Sequence, residues 1–362
     1  MVGNQRTCTL YTGHEADGER STRAMAHHAT VIMRRAAPWA GTVIIDLDAC
    51  PPITRCCCEN PPIAMPIERL DDFSRLSRLV VRVLGLNPGP FSLQGTNTYL
   101  VGGGRSRLLI DAGEGMSGYV PMLLKTMKQE GAETISDVLM THYHCDHTEG
   151  LKDLRAHFGD ELRAWKLQPS HKGEHGPSFD LIAAGVRELS DGQELSTEDG
   201  DATVKVLATP GHTPDHACLL LREEGSVFSG DCVLGGSSAV FENLRDYMRS
   251  LHTLLGILPP AAEGDGGAPS CADGSAAARI YPGHGPVIAD GRKAVEDYIE
   301  HRNARERQVV TTLEQVSQAP LRSLAGLSSF GIVRAIYPQL GWKLRCARRR
   351  ARAAHPDVPL RR

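Results

Sequence analysis

Short apolar segments separated by turn residues run through the middle of the chain, and they predict two groups of antiparallel strands. In the first group, residues 79–84 are rich in β-branched side chains, and a predicted hairpin joins residues 96–101 to residues 107–111 across three glycines. The second group begins near residue 202. It contains three further predicted strands, at residues 202–207, 218–221 and 226–231.

Two other stretches have a helical period. Apolar positions in residues 118–130 recur every three or four residues, which predicts an amphipathic helix, and a long helix is expected from residue 294 to about residue 314. Residues 135–140 end in an apolar run and are interpreted as a buried parallel strand. That strand leads directly into the stretch that carries the candidate chemistry.

Residues 141–150 contain three histidines and one aspartate within six positions. Neutral imidazoles and a carboxylate suit zinc, and a tight loop at the end of a strand aims several of them at one point. The spacing lets His142 and His144 point to one metal while Asp146 and His147 address a second, so it indicates a two-metal site. The alternative is a polar turn whose histidines cap the following helix, which Thr148 is also expected to cap.

Three later residues of the ligand type also follow predicted strands. His212, Asp231 and His284 each stand where an apolar segment ends. Functional side chains gather on loops that a rigid scaffold positions. We therefore expect all of these positions to lie at a single active-site edge between two sheets.

The chain has ten cysteines, but their spacing is irregular and three of them, at positions 56–58, are consecutive. That pattern does not suit a disulfide framework and favours a reducing compartment. Cys145 and Cys232 lie beside predicted ligands, and we interpret both as packing residues. His216, four residues after His212, is interpreted as a structural residue that hydrogen-bonds near the site.

Composition and charge limit the classes of partner. The formal net charge is -3 and 23% of the residues are charged, so no global basic field indicates nucleic acid, and contacts with RNA require local patches. The sequence has no DNA-specific motif, and no uninterrupted apolar run approaches the length of a membrane span. The oligomeric state is not determined by the sequence.

The two ends of the chain differ from its middle. We expect residues 1–66 to be a disordered extension and residues 67–292 to form the main domain, with a flexible insertion at about 260–278. A helical region is expected at 293–340, followed by a basic tail at 341–362.

The N-terminal extension also bears on localisation. An arginine-containing stretch without acidic residues, from Arg20 to Ile45, resembles a mitochondrial presequence, and the resemblance improves if translation starts at Met25. The earlier acidic residues, Glu15 and Asp17 among them, argue against it. We therefore expect the protein in the mitochondrial matrix or in the cytoplasm.

With its ligand-type residues in this order, the chain from about residue 79 to residue 310 resembles the metallo-beta-lactamase fold hydrolases. The resemblance implies an α+β fold, an αββα sandwich that holds two zinc ions. It implies that one zinc is held by His142, His144 and His212, that the other is held by Asp146, His147 and His284, and that Asp231 bridges them. Asp146 would then orient a metal-activated hydroxide, and either His284 or a residue that hydrogen-bonds a ligand would assist proton transfer. The predicted catalytic residues are Asp146, Asp231 and His284.

Longer phrases resemble the beta-lactamase-like protein 2 group of that family; they lie at residues 87–99, 230–235, 241–244 and 281–286. This resemblance implies an endoribonuclease that cleaves single-stranded RNA and carries a C-terminal winged-helix-like domain. Residues 328–337 resemble the beginning of that domain, but the expected helix and wing are not evident after residue 338, so the region is incomplete. The arginine-rich tail that stands in their place either contacts phosphates or has no function.

Two other functions compete with the nuclease. The same metal core would serve a thioester hydrolase, glyoxalase II-like or acyl-carrier-directed, because loops rather than the core select the substrate. A non-catalytic RNA-binding protein is the third hypothesis. All seven ligand positions are filled, which argues against that third hypothesis.

Overall fold

The computed structural model describes residues 69–168, 185–259 and 278–317, together with two short strands near the N-terminus. Residues 62–301 form one compact unit, and residues 1–61 with 302–362 form a second. In the described part of the second unit, strands β1 (His28–Thr30) and β2 (Ile44–Asp46) pair antiparallel.

Several predictions for the ends and the insertion lie outside the described residues. They concern the disordered extension, of which only β1 and β2 are described, the insertion, of which only Ala278 is described, and the basic tail. These three stay predictions. The incomplete winged-helix-like region is described only as far as residue 317, where it is helical. No helix among the described residues is long and apolar enough to cross a membrane.

The first sheet of the larger unit has seven strands that adjoin in chain order. The first four pair antiparallel and the last four pair parallel, so the strand before the candidate metal loop is parallel to both neighbours, as the sequence predicts. The strands are β3 (Phe73–Arg75), β4 (Val80–Leu84), β5 (Asn97–Val101), β6 (Ser106–Ile110), β7 (Thr134–Met140), β8 (Arg163–Leu167) and β9 (Arg187–Leu189).

The second sheet has five strands, which also adjoin in chain order. The first four pair antiparallel, whereas the last two pair parallel after a crossover that includes a helix. The strands are β10 (Glu194–Ser196), β11 (Thr203–Ala208), β12 (Ala217–Leu221), β13 (Ser226–Gly230) and β14 (Ile280–Pro282).

Helices cover the outer faces of both sheets. Leu123 and Leu154, one from each of two helices, pack in a cluster with the outer side chains of the first sheet. Leu251 and Val295 belong to a second cluster with the outer side chains of the second sheet. The helices are α1 (Tyr119–Gln129), α2 (Cys145–Thr148), α3 (Leu151–Phe158), α4 (Leu244–Ile257) and α5 (Gly291–Ser317).

A third apolar cluster fills the space between the sheets. Its aromatic members Tyr99, Phe228 and Tyr281 have ring centroids 5.0 to 5.7 Å apart. Alternation along β4 explains how one strand serves two clusters, since Val80 faces the other sheet while Val81 faces the helices. The layers are therefore helix, sheet, sheet and helix, which confirms the predicted αββα sandwich.

The predicted cap at Thr148 is wrong. Thr148 is the last residue of α2, and its hydroxyl donates to the carbonyl of His144 at 3.0 Å rather than accepting from an exposed N–H of α3. Helix α3 begins after Gly150, which has no side chain to cap it. Thr148 lies two residues before that N-cap position, Gly150, too early in the chain to cap α3.

One glycine next to the candidate site allows a direct test of packing. Gly211 has φ of +136°, and a Cβ there would overlap the backbone of Tyr247 in α4. Gly211→Ala is expected to lower the free energy of unfolding by about 2 to 5 kcal/mol, since left-handed strain adds to overpacking. Gly192→Ala is the control, because Gly192 also has a positive φ, +77°, but nothing lies within 4 Å of a Cβ placed there. This variant is expected to lose about 1 to 2 kcal/mol of unfolding free energy. Equal losses in urea unfolding would contradict the packing argument.

Candidate metal centre

The seven predicted ligand residues all lie at one edge of the sandwich, between the two sheets. The loop after β7 carries His142 and His144, and the short helix α2 carries Asp146 and His147. His212 lies in the turn between β11 and β12. Asp231 directly follows β13, and His284 lies two residues after the end of β14. The structure thus brings together His142, His144, Asp146, His147, His212, Asp231 and His284.

The first set of ligand-type atoms comes from three histidines. Nε2 of His142 lies 2.9 Å from Nδ1 of His144, and Nε2 of His212 lies 3.3 and 3.1 Å from those two atoms. Ligands at the corners of a tetrahedral zinc site are roughly 3.3 Å apart, because each bond is about 2.0 to 2.1 Å long. The three nitrogens therefore have the spacing that one zinc ion requires.

The second set has the same dimensions. Oδ2 of Asp146 lies 3.3 Å from Nε2 of His147 and 3.3 Å from Nε2 of His284, and these two nitrogens are 3.4 Å apart. Each set draws residues from both sheets. Metal binding in either place would therefore also join the two halves of the sandwich.

Asp231 stands between the two sets. Its Oδ2 lies 3.6 Å from Nε2 of His212, whereas its Oδ1 lies 3.6 Å from Nε2 of His147 and 3.4 Å from Nε2 of His284. Oδ1 is buried and forms no hydrogen bond with the described residues. A buried carboxylate oxygen without a donor fits a cation, so the arrangement suits two metal ions bridged by Asp231. The ligand roles of the seven residues stay predictions.

Hydrogen bonds on the far side of the rings fix which nitrogen points into the site. Nδ1 of His147 donates to Oδ2 of Asp111 at 2.8 Å, and Nδ1 of His212 donates to the carbonyl of Val240 at 2.7 Å. The other nitrogen of each ring, Nε2, therefore faces the centre. Carboxylates and carbonyls commonly orient metal-binding histidines in this way.

Sequence reasoning missed Asp111. This buried residue has φ of +60°, and its carboxylate also accepts hydrogen bonds from the backbone N–H and the hydroxyl of Thr141. It follows strand β6, so it obeys the same pattern of a strand followed by a ligand-type residue as Asp231. The sequence therefore contained a signal for Asp111, although Asp111 hydrogen-bonds the predicted ligand His147 and belongs to neither set.

The two sets differ electrostatically. Burial, helped by the neighbouring His212, lowers the pKa of His144 to about 3, and burial also lowers the pKa of His142. These rings are neutral and keep lone pairs for a metal. Burial would lower the pKa of His284 as well, but the carboxylates of Asp231 and Asp146 outweigh it and raise that pKa to about 9. The carboxylates therefore draw positive charge to the second set, whether a proton or a metal ion carries it.

Three neighbours of the site were assigned structural roles from the sequence. His216 accepts a hydrogen bond at Nε2 from the N–H of Asp231 at 3.2 Å and contacts the hydroxyl of Thr209 through Nδ1, so it hydrogen-bonds beside the site as predicted. Cys232 is buried in the cluster under the second sheet. Cys145 is exposed, so its predicted packing role is wrong, because it lies at the first position of α2, where the metal loop meets solvent.

Asp111→Asn is expected to weaken zinc binding by about 10- to 100-fold, because the amide would no longer hold the Nδ1 proton of His147 as a carboxylate does. The measurement is competition with a chromophoric chelator at fixed free zinc. Asp137→Asn is the matched control, since Asp137 is buried on the adjoining strand β7 but bonds Arg163 and Trp165. Unchanged zinc affinity in Asp111→Asn would contradict this orienting role.

The chain belongs to the metallo-beta-lactamase superfamily. The model of that family matches residues 92–284, which include all seven ligand-type positions. The sandwich and the position of the site at its edge agree with this assignment. The protein is thus a member of a superfamily of metal-dependent hydrolases.

Named relatives extend over most of the chain. A protein from Caenorhabditis elegans named beta-lactamase-like protein 2 homolog is 37% identical over 78% of this chain and 82% of its own length. A protein from Aspergillus fumigatus named atrochrysone carboxyl ACP thioesterase is 39% identical over 70% of this chain and 71% of its own length. A beta-lactamase domain protein from Burkholderia ambifaria, of known crystal structure, covers 74% of this chain and 84% of its own at 20% identity, with a TM-score of 0.53, and so shares the fold.

Proposed function

We propose that this chain is an endoribonuclease that cleaves single-stranded RNA at a two-zinc site. The observation that carries the proposal is the placement of Asp231, whose two oxygens face different ligand sets. When bound, two zinc ions would supply a hydroxide at neutral pH and stabilise the attacking and leaving oxygens of an in-line displacement, which suits a phosphodiester.

The side chains of the protein have separate tasks in this reaction. Asp231 fixes the separation of the two sets, and Asp146 orients the attacking water. Thr96 supports Asp146 by donating its hydroxyl proton to Oδ2 at 2.9 Å. His284 lies beside both carboxylates through Nε2, and it would hold the second ion by that atom.

An exposed aromatic residue on the loop before Thr96 favours a single-stranded substrate. Phe91 is 61% exposed on the loop that leads to Thr96, the residue whose hydroxyl donates to Asp146. Unpaired bases stack on exposed aromatic side chains, and duplex RNA hides those faces. The resemblance of several phrases to the beta-lactamase-like protein 2 group implies the same substrate, and the C. elegans relative carries the name of that group.

A thioester hydrolase is the second candidate, because the A. fumigatus relative is named as a thioesterase. An exposed apolar residue and two acidic residues beside the site also favour a thioester hydrolase. Val240, whose carbonyl contacts His212, is 50% exposed. Glu114 and Glu242, which accept from Asn87 and Tyr143, add negative charge near the site that would repel a polyanion. An acyl chain on a neutral thioester would suit such a rim.

One series of assays distinguishes the two candidate functions. The full chain is incubated with end-labelled single-stranded RNA, with the corresponding duplex and with S-lactoylglutathione, each with a chelator and again after zinc is restored. We expect zinc-dependent internal cleavage of the single strand, much slower cleavage of the duplex and little thioester turnover. Rapid thioester turnover with intact RNA would replace the nuclease by the second candidate.

Removal of residues 341–362 is expected to slow cleavage of RNA and to leave turnover of a small ester unchanged. The segment is rich in basic residues and has no predicted ligand, so it adds only salt-sensitive attraction to phosphates. For every phosphate that the tail binds, its removal should reduce the slope of log affinity against log salt by roughly 1. Replacing the basic residues of the tail by glutamine controls for length. Equal RNA cleavage by truncated and full chains at low salt would remove the tail from the mechanism.

A further inference from the structure

Two members of the second ligand set, Asp146 and His284, are held by residues at the beginning of β5. Asn97 is the first residue of β5, in the first sheet, and Thr96, which directly precedes it, pairs in an isolated bridge with His284, two residues after β14 of the second sheet. Both side chains are fully buried. The two residues therefore sit where the sheets meet, next to Asp146 and His284.

Asn97 holds the loop that carries His284 at three points. Its side-chain Nδ2 donates to the carbonyls of Pro282 and Gly285, each at 2.8 Å, and its backbone N–H donates to the carbonyl of Gly283 at 2.7 Å. These acceptors flank His284 on both sides. The amide of one side chain thus fixes the path of the backbone through that histidine.

His284 needs this support more than His147 and His212 do. Nδ1 of His284 is buried and has no hydrogen-bond partner among the described residues, whereas Nδ1 of His147 is held by Asp111 and Nδ1 of His212 by Val240. Within the described ranges, no side chain or carbonyl therefore orients the ring of His284 from behind. Its position is set by its backbone, which Asn97 holds.

Thr96 performs the matching task for Asp146. Its hydroxyl donates to Oδ2 of Asp146, the oxygen that faces His147 and His284. The hydroxyl of Thr96 in turn accepts from Asn87, which keeps its own proton directed at the carboxylate. Two of the three members of the second set are thus positioned from β5.

The first set has different anchors. His142 contacts the hydroxyl of Thr141 at 3.0 Å, and His212 donates to Val240. Neither anchor belongs to β5 or to the loop before it. A substitution of Asn97 or Thr96 therefore removes support from the second set and leaves the anchors of the first set in place.

We propose that Asn97 and Thr96 are positioning residues that set the metal affinity of the second ligand set independently of the first. The inference rests on the two-metal site of the proposed function. Asn97→Ala leaves the loop around His284 without two of the three bonds that Asn97 makes to it, and Thr96→Val leaves Asp146 without the hydroxyl that donates to it. Each variant is expected to bind one zinc tightly and the second about 10- to 100-fold more weakly than the unaltered chain does.

The test is zinc stoichiometry of the full chain, measured by elemental analysis after dialysis against a series of buffered free-zinc concentrations. Thr98→Ala is the matched control, because Thr98 is buried on the same strand but bonds Val83 and Tyr119 instead of the site. Thr96→Ser keeps the hydroxyl and is expected to restore the second zinc. The unaltered chain, Thr98→Ala and Thr96→Ser should bind two ions where Asn97→Ala and Thr96→Val bind one.

The outcomes are distinguishable. If Asn97→Ala binds two zinc ions at the free-zinc concentration at which the unaltered chain binds two, the inference is overturned and the two-metal site remains. Loss of the second ion from Thr98→Ala as well would also overturn it, since any damage to β5 would then have the same effect. An unaltered chain that binds no zinc would overturn the proposed function and this inference together.

Discussion

Replacing Asp231 with alanine is expected to abolish hydrolysis of every substrate, with a loss of at least about 10³-fold in kcat, since several kcal/mol of transition-state stabilisation depend on a two-metal arrangement. The reason is geometric. Each oxygen of Asp231 faces a different ligand set, and no other carboxylate among the described ligand residues faces both sets. Without it, the separation of the two sets is no longer fixed.

The measurement is single-turnover cleavage of RNA, and of a small thioester, at saturating zinc. Asp201→Ala serves as the control, because Asp201 bonds Gly103 and Thr197 away from the site and should leave both rates unchanged. An Asp231→Ala protein that is folded and retains more than about a tenth of the normal rate would remove the bridging role from the mechanism.

Replacing Asp215 with alanine is expected to have the largest effect on stability. Asp215 forms an ion pair with Lys166 of β8, and the two side chains are only 1% and 6% exposed. The pair joins the first sheet to the turn of the second sheet that carries His212. Removal of one partner leaves an uncompensated charge in the interior, which costs about 3 to 5 kcal/mol of unfolding free energy.

Urea unfolding measures this loss, with an exposed pair as the reference. Glu194→Ala breaks an ion pair with Arg222 at the surface and should cost less than about 1 kcal/mol. Replacing both buried partners together, Lys166→Met with Asp215→Leu, should recover most of the stability, since no charge is then buried alone. Similar losses in Asp215→Ala and Glu194→Ala would show that the buried pair is not an anchor between the sheets.

Much of the site could be predicted because its local pattern is strong. The close spacing of His142, His144, Asp146 and His147 indicates ligands even before any fold is known. The strands that end at His212, Asp231 and His284 could also be predicted, because short apolar segments rich in β-branched residues, bounded by turn residues, are typical of strands. The shared edge followed from the recurrence of a ligand-type residue after a strand.

The residues that support the ligands could not be found in the same way. Asn97 occurs in a short polar run inside a strand, and nothing in its neighbourhood indicates that its amide reaches residues 282–285, nearly two hundred positions later. Such hydrogen bonds depend on the packing of two sheets. Helix α4 is a different case, because Tyr247, Leu251 and Leu254 have helical spacing after the capping residue Asn243, and this signal was overlooked.

We propose that the seven ligand-type residues hold two metal ions side by side, with Asp231 between them. Anomalous diffraction at the zinc absorption edge, from crystals of the full chain grown with zinc, tests this arrangement. Two peaks are expected, one about 2.0 to 2.2 Å from ligand nitrogens of His142, His144 and His212, the other at the same distance from ligand atoms of Asp146, His147 and His284. A single peak, or two peaks that Asp231 does not join, would show that the two-metal arrangement is wrong.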